Sequence, residues 1–333
     1  MNNVTTVGID LAKNVFSLHG VDAQGRIVLR KTVSRGKLLA LIAQLPCCVI
    51  GLEACSGAHE WARRFRELGH DPHLMAAKFV TPYRKSGKND GNDAEAICEA
   101  VARPNMRFVP VKSLEQQAEL SLHRVRQGFI EERTATLNRL RGLLAEFGHV
   151  LPLRAIEVRR RVPELLDELP TRVARCLRDL LEHATSLETK ALEYERQIKA
   201  AARGNTLVRR AQTRRGIGPL TASALVATVG NGHDFKNGRQ FAAWLGLVPR
   251  QYSTGGKTRL GHITKRGDPY LRTLFVMGAR AVLQRAARLK DPFSRWALAV
   301  QTRRGYHRAC VAVAAKNARV AWALLAKAEL ATA

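Results

Sequence analysis

The feature that most constrains this chain is the order of apolar segments in its first hundred residues, where strand-like and helix-like spacings alternate. Residues 4–11 and 14–21 read as strands joined by a short turn at Ala12-Lys13. Residues 26–33 read as a third strand after the turn Asp22-Ala23-Gln24-Gly25, which gives a three-strand antiparallel meander. Residues 38–45 carry helical spacing, and residues 47–52 form a short continuous apolar run, as a parallel strand buried on both faces does. Residues 59–68 are amphipathic and stop at Gly69, residues 73–77 read as a strand, and residues 94–102 as a helix. The order βββαβαβ, followed by that helix, predicts a mixed sheet covered by helices.

Such an order suits an α/β domain of the RNase H-like (RuvC-like) kind, and four carboxylates fall where its sheet would gather them. Asp10 sits between Ile9 and Leu11 in the first strand. A carboxylate in so apolar a run must be paired, coordinated or turned toward a site, because burying it bare is costly. Glu53 ends the run of residues 47–52 in GLEACSG, beside Asp10 in such a sheet. Asp90 and Asp93 follow in KNDGNDAEAI, one turn apart at the start of a helix. Four converging carboxylates repel unless a cation joins them. Hard oxygen ligands select Mg²⁺ or Mn²⁺, which polarise a phosphodiester and stabilise the oxygens of an in-line displacement. Taken singly, Asp90 and Asp93 also suit helix capping, and Glu53 also suits the end of a strand. The ordered set Asp–Glu–Asp–x–x–Asp favours the metal site.

Residues 113–147 are helical without a break, and residues 173–201 show near-heptad spacing, with Pro152, Pro163 and Pro170 between the two stretches. A coiled-coil arm and an ordinary helical bundle both satisfy that pattern. Composition changes again near Arg209, where Gly, Arg and Lys become frequent. An alanine-rich helical segment dotted with arginines then runs from about Tyr270 to the end. The expected organisation is α/β plus α: a catalytic domain over residues 1–110, a helical coiled-coil region over 111–205, and a mainly helical C-terminal domain over 206–333.

With 55 Lys+Arg against 28 Asp+Glu the formal net charge is +27. A compact fold so charged repels itself unless a polyanion neutralises it, and nucleic acid gains from each phosphate contacted through counterion release. No uninterrupted apolar run reaches the roughly 18 residues of a spanning helix, so a membrane partner is not expected. The first residues, MNNVTTVGID, do not read as a signal peptide. Six cysteines (Cys47, Cys48, Cys55, Cys98, Cys176 and Cys310), mostly in apolar runs and without CxxC spacing, read as reduced core residues of a cytoplasmic protein.

Two segments of the basic region carry chemistry. Arg214-Arg215-Gly216-Ile217-Gly218-Pro219 is a Gly-containing turn opening a helix. It reads either as a helix-hairpin-helix element whose backbone N–H groups hold a DNA phosphate, or as a tight turn before a core helix. After the apolar helix in FAAWLGLVPR comes QYSTGGKTRLG. Gly256-Lys257-Thr258 is not a nucleotide-binding loop, because Gln251 stands where the first glycine belongs and no apolar strand precedes it. Hydroxyls beside Arg250, Lys257, Arg259, Lys265 and Arg266 suit a phosphate-binding loop. They also suit a nucleophile that attacks a phosphodiester and stores the bond energy as a phosphoseryl ester.

Taken together, VGIDLAKN, GLEACSG, KNDGNDAEAI, RRGIGPLTA, FAAWLGLVPRQYSTGGK and ITKRGDPYLRTL resemble the DEDD transposases of the insertion sequence 110 family, especially its 1111 subgroup. The Piv-type invertases are relatives of that family, and the resemblance covers essentially the whole chain. It implies a RuvC-like domain, a coiled-coil region and a C-terminal transposase domain, with Asp10, Glu53, Asp90 and Asp93 as a Mg²⁺-binding tetrad. It further implies a serine nucleophile in the Tyr252–Gly255 segment, covalently linked to DNA during strand transfer. A structured noncoding guide RNA (a bridge RNA) pairing with donor and target DNA is implied too. So are homodimers that assemble into homotetramers, with sites made from one subunit's tetrad and another's serine. Some members place the serine directly before the glycine, where this chain has Thr254. Ser253 stands one residue earlier and is the less hindered hydroxyl. Two rival readings are a RuvC- or RNase H-type nuclease that uses water, and a non-catalytic nucleic-acid-binding protein.

Overall fold

The computed structural model describes residues 3–85, 87 and 89–327. The chain divides into two compact units between Ser113 and Leu114.

In the first unit β1 (Thr6–Leu11), β2 (Val15–Val21) and β3 (Ile27–Ser34) form the expected meander. A short 3-10 turn and α1 (Leu38–Ile42) lead into β4 (Val49–Glu53), which pairs parallel to β1. Then come α2 (Ala58–Glu67), β5 (Asp71–Met75) parallel to β4, α3 (Ala77–Val80), a 3-10 turn at Thr81–Tyr83, and α4 (Asp90–Val101). A two-residue strand, β6 (Phe108–Val109), closes the sheet antiparallel to β5, so the order is β3-β2-β1-β4-β5-β6. The mixed α/β architecture read from the sequence is therefore present, with β6 added at one edge.

Side-chain alternation divides the two faces of this sheet. Val7, Ile9, Phe16 and Leu18 pack with Trp61 and Phe65 of α2, whose Trp61 ring meets Phe16 edge-on at 5.2 Å. The opposite face carries Gly8 on β1 and, directly beside it in register, Gly51 on β4. Helix α4 lies on this glycine pair. A Cβ at Gly8 would stand 2.2 Å from the Ala94 carbonyl oxygen, and one at Gly51 would stand 2.9 Å from Val101 Cβ. Only residues without a side chain let a helix come so near a sheet.

In the second unit α5 (Leu114–Ala145) and α7 (Thr171–Gly204) run antiparallel, joined by the ion pairs Arg126–Glu195 at 2.6 Å and Arg133–Glu188 at 3.3 Å. Between them in sequence, α6 (Ala155–Leu165) adds Val158 and Val162 to a core shared with Leu137, Leu140, Leu144 and Leu177. The rest of the unit holds α8 (Thr206–Gln212), α9 (Pro219–Val229), α10 (Gly238–Trp244), β7 (Pro249–Thr254) and β8 (Lys257–Ile263). It ends with α11 (Pro269–Ala286), α12 (Pro292–Arg304) and α13 (Tyr306–Ala326).

Four expectations need correction. The C-terminal helical segment is three helices, because Asp291 caps α12 with Pro292 at its first position and Gly305 turns the chain at φ +79°. Helix α13 is, by length and composition, apolar enough to cross a membrane, which a search for uninterrupted apolar runs missed because Lys316 and Arg319 interrupt it. Its Ala309, Cys310, Val313, Ala314, Ala318, Ala321 and Leu325 belong to the core of the unit. Of the six cysteines, all free, Cys48, Cys98 and Cys310 are buried, whereas Cys47, Cys55 and Cys176 are exposed. Lastly, α4 begins four residues earlier than its apolar spacing indicates, and Asn89 rather than either aspartate caps it, its Oδ1 accepting from Asn92 N at 2.8 Å.

Candidate active site

Beyond the register pair Ile9–Leu52, the next residues of the two parallel strands are Asp10 and Glu53. Alternation places both on the face covered by α4, the face of Gly8 and Gly51. Both are half-buried at the ends of their strands. The Cys55 thiol senses this: shielding of its sulfur raises its pKa first, and the negative charges of Glu53 and Asp10 raise it further.

Helix α4 runs antiparallel to β1, with Cys98 Sγ reaching the Thr6 carbonyl at 3.7 Å and Ala94 lying over Gly8. Its first turn, carrying Asp90 and Asp93, is therefore directed toward the strand ends that bear Asp10 and Glu53. Asp93 is buried, and its Oδ1 stands 2.5 Å from Nε of Arg84. The two atoms face each other without the angle of a hydrogen bond, and among the described residues neither has another hydrogen-bond partner. Asp90 is exposed. The structure thus brings Asp10 and Glu53 together, aims Asp93 toward them but pairs it with Arg84, and leaves Asp90 in solvent. Among the described residues no group of three or more His, Cys, Asp and Glu side chains is gathered closely enough to hold a metal ion. Arg84 had no signal in the sequence, since it lies nine residues before Asp93 in a segment without periodicity.

The segment read as a Gly-rich loop is a hairpin. Strands β7 and β8 pair antiparallel with Ser253 opposite Thr258 and Thr254 opposite Lys257. The two-residue turn Gly255-Gly256 has φ +54° and +77°, the doubly left-handed turn that matches strand twist and that glycine adopts at least cost. All of β7 is exposed, and only Ile263 of β8 is partly buried. Opposite residues of an antiparallel pair share a face. Gln251, Ser253, Thr258 and Leu260 therefore lie on one side, and Tyr252, Thr254, Lys257 and Arg259 on the other. Ser253 Oγ accepts a hydrogen bond from Gln251 Nε2 at 2.8 Å, a neighbour that spacing alone did not single out. At the base of the hairpin Lys265 N donates to the Gly246 carbonyl at 3.1 Å, and Arg272 Nη1 donates to the carbonyls of Leu245 and Arg266, each at 3.1 Å. A Cβ at Gly246 or Gly267 would collide with this backbone. A mobile-looking element is thus built on a rigid footing.

Arg250, Lys257, Arg259, Lys265 and Arg266 are all exposed, and among the described residues none has a carboxylate at ion-pair distance. Arg214 and Arg215 are placed differently. Arg214 stacks over the Phe293 ring at 3.9 Å and donates to Asn317 Oδ1 at 2.8 Å, and burial lowers its pKa. Arg215 pairs with Asp291 Oδ2 at 2.8 Å. Gly216, at φ +88°, presses its backbone against Gly278 of α11, while Gly218 caps α9 with open space about its Cα. The turn is thus packed on α11 and α13 with its exposed Arg215 held by Asp291, and the candidate cations without a carboxylate partner among the described residues belong to the hairpin and its base.

Two family models match this chain, over different stretches. A family model described as a DEDD-type IS110 transposase matches residues 7–149, and one described as "Transposase IS116/IS110/IS902 family" matches residues 208–294. The chain is 48% identical to a Pseudomonas aeruginosa protein named "Probable family 20 transposase", over 98% of each chain. It is 40% identical to the transposase for insertion sequence element IS1111A of Coxiella burnetii, over 99% of this chain and 92% of that one. To the transposase for insertion sequence element IS1328 of Yersinia enterocolitica it is 42% identical over 97% of each. A DNA transposase is the class that these matches define. The chain belongs to the IS110 family of transposases.

Proposed function

We propose that this transposase is an RNA-guided recombinase that cuts and rejoins DNA strands with two sets of residues, the tetrad Asp10, Glu53, Asp90 and Asp93 and the hydroxyl of Ser253. The observation that carries the reading is the side-by-side placement of Asp10 and Glu53 beneath the first turn of α4. Two half-buried carboxylates side by side repel each other and favour a cation between them. Carboxylate oxygens are the ligands that Mg²⁺ or Mn²⁺ selects, and the four residues would hold the ion once Asp93 leaves Arg84. Bound there, a divalent cation supplies charge neutralisation at the phosphodiester oxygens.

The chain's own groups do the rest. Ser253 Oγ attacks phosphorus, forming an O–P bond as the bond to the departing strand's oxygen breaks; its proton passes to solvent, and the departing oxygen takes one up. The phosphoseryl ester conserves the bond energy, so a DNA hydroxyl can reverse the step and join strands without ATP. Lys257, Arg259, Lys265, Arg266 and Arg250 steady the backbone phosphates. Thr254 is the alternative nucleophile, favoured by its sharing a face with Lys257 and Arg259, whereas Ser253 shares its face with Gln251. The turn Arg214–Gly218 contributes through the N-terminus of α9. Residues 1–110 serve as the catalytic domain, 111–205 as a helical, coiled-coil assembly region, and 206–333 as the serine-bearing domain. Donor and target DNA are read through a structured noncoding RNA, and homodimers join into tetramers in the bacterial cytoplasm.

The test is a plasmid assay that supplies the protein, the DNA flanking its gene, and donor and target sites. Asp10→Asn and Glu53→Gln abolish recombinant junctions, while Ser253→Ala abolishes both junctions and the covalent protein–DNA adduct. If Ser253→Ala and Thr254→Ala both stay active while Asp10→Asn is dead, the enzyme hydrolyses with water instead. Loss of the adduct in Thr254→Ala alone moves the nucleophile by one residue. Junctions formed without any RNA remove the guide from the reading.

A further inference from the structure

Arg84 is a cation that the fold delivers to a proposed tetrad member, Asp93. It follows the 3-10 turn Thr81–Tyr83, whose Tyr83 packs on the cluster of Met75, Val80, Ala96, Ile97, Ala100 and Val101. The next residue, Lys85, donates to Glu95 Oε1 of α4 at 2.9 Å and lies 3.8 Å from Glu99. The side chains of both neighbours of Arg84 thus contact α4 or the cluster it contributes to, and the guanidinium meets Asp93 of the helix's first turn. There it stands 2.5 Å from Asp93 Oδ1, both atoms buried. A buried carboxylate is costly to leave without a cation or hydrogen-bond donors. The contact lacks hydrogen-bond geometry, so Asp93 gains charge neutralisation from Arg84 but little directional bonding.

We propose that Arg84 is a gate on the metal site: it neutralises Asp93 when no divalent ion is bound and competes with that ion for the same carboxylate oxygen. The inference rests on the tetrad reading above. Arg84 is then a positioning residue that lowers metal affinity. It also keeps the first turn of α4 ordered in the metal-free protein, so that empty and loaded states share one backbone. A residue that merely braced Asp93 toward the metal would have the opposite sign, since its removal would weaken binding.

The experiment titrates the full-length protein with Mn²⁺, followed by isothermal calorimetry and by the electron paramagnetic resonance of free Mn²⁺, with thermal denaturation run alongside. Arg84→Gln should bind Mn²⁺ more tightly, on the order of tenfold, as loss of a charge-assisted contact implies. Its melting temperature without metal falls, and the rise on adding Mn²⁺ is larger than in the unmodified chain. Arg84→Lys, which keeps the charge, stays close to the unmodified protein. Placing Arg84→Gln in an Asp93→Asn background changes nothing further, since the contested oxygen no longer carries charge. Mn²⁺ binding that Asp10→Asn abolishes but Arg84→Gln leaves equal or weaker overturns the gate alone. Failure of both the unmodified chain and Arg84→Gln to bind Mn²⁺ overturns the gate and the tetrad together.

Discussion

Two glycines decide whether the acidic residues can meet. Gly8 and Gly51 sit side by side under α4, and each lies two residues before one of the acidic residues, Asp10 and Glu53. Gly8→Ala pushes a methyl group against the Ala94 carbonyl and the Cys98 amide, backbone atoms that cannot rotate away. Overpacking of this kind costs roughly 1–3 kcal/mol, and thermal denaturation should show it. Gly51→Ala meets mainly the Val101 and Ile97 side chains and is milder. Because α4 must lift, Gly8→Ala should lose recombination in excess of the fraction unfolded. Asp10 and Glu53 were legible in the sequence because each interrupts or ends an apolar strand, where an acidic residue stands out. The Arg84–Asp93 contact was not legible, since ion pairs between a turn and a helix leave no periodic trace.

At the scale of elements, strands that alternate or run apolar announced themselves, whereas polar ones did not. Strand β6 has two residues, and β7 and β8 carry no apolar alternation because neither face is covered. The start of α4 was hidden for a related reason, its first turn being polar. A buried polar link joins three helices of the second unit: His123 of α5 shares hydrogen bonds with Tyr270 of α11 at 2.9 Å and with Ser223 of α9 at 3.0 Å. Burial, and then the charge of Arg126, push the His123 imidazole down to about 4. Above about pH 6.5 the imidazole is neutral folded and unfolded alike, so it adds no pH dependence there. Between pH 6.5 and 4 the unfolded chain takes up a proton that the folded chain refuses, so stability falls with pH, by about 3 kcal/mol in all. Denaturant titrations at pH 7 and pH 4.5 should show this loss, and His123→Gln should remove most of it. An unchanged pH dependence in that variant would assign the loss to other groups, His19 among them, whose pKa burial also lowers.

Over the whole molecule the charge is uneven. Residues 206–333 hold 23 Lys+Arg and 4 Asp+Glu. Two of those acids, Asp268 and Asp291, are occupied as helix caps. A nucleic-acid partner engaging six to ten phosphates through such a surface loses roughly 10³–10⁵ in affinity between about 50 and 200 mM salt. Fluorescence anisotropy on the full-length protein should show that steep dependence. Reversing Arg303, Arg304 and Arg308 to Glu, on exposed turns of α12 and α13, should flatten the slope if they touch phosphates. The sequence carried this term outright, as it did the overall family, because charge and long motifs survive without three-dimensional context. The facing of residues across the hairpin needed the register.

The hairpin's exposure has an evolutionary side. A two-stranded ribbon with both faces in solvent contributes almost nothing to folding free energy, so under the function proposed above substitutions along it are filtered by what they do to DNA rather than by what they do to stability. Its footing at Gly246, Gly267 and Arg272 bears the opposite constraint, since backbone there touches backbone. The hairpin can therefore be varied with little loss of stability on a base that tolerates few changes, a freedom that laboratory selection can use.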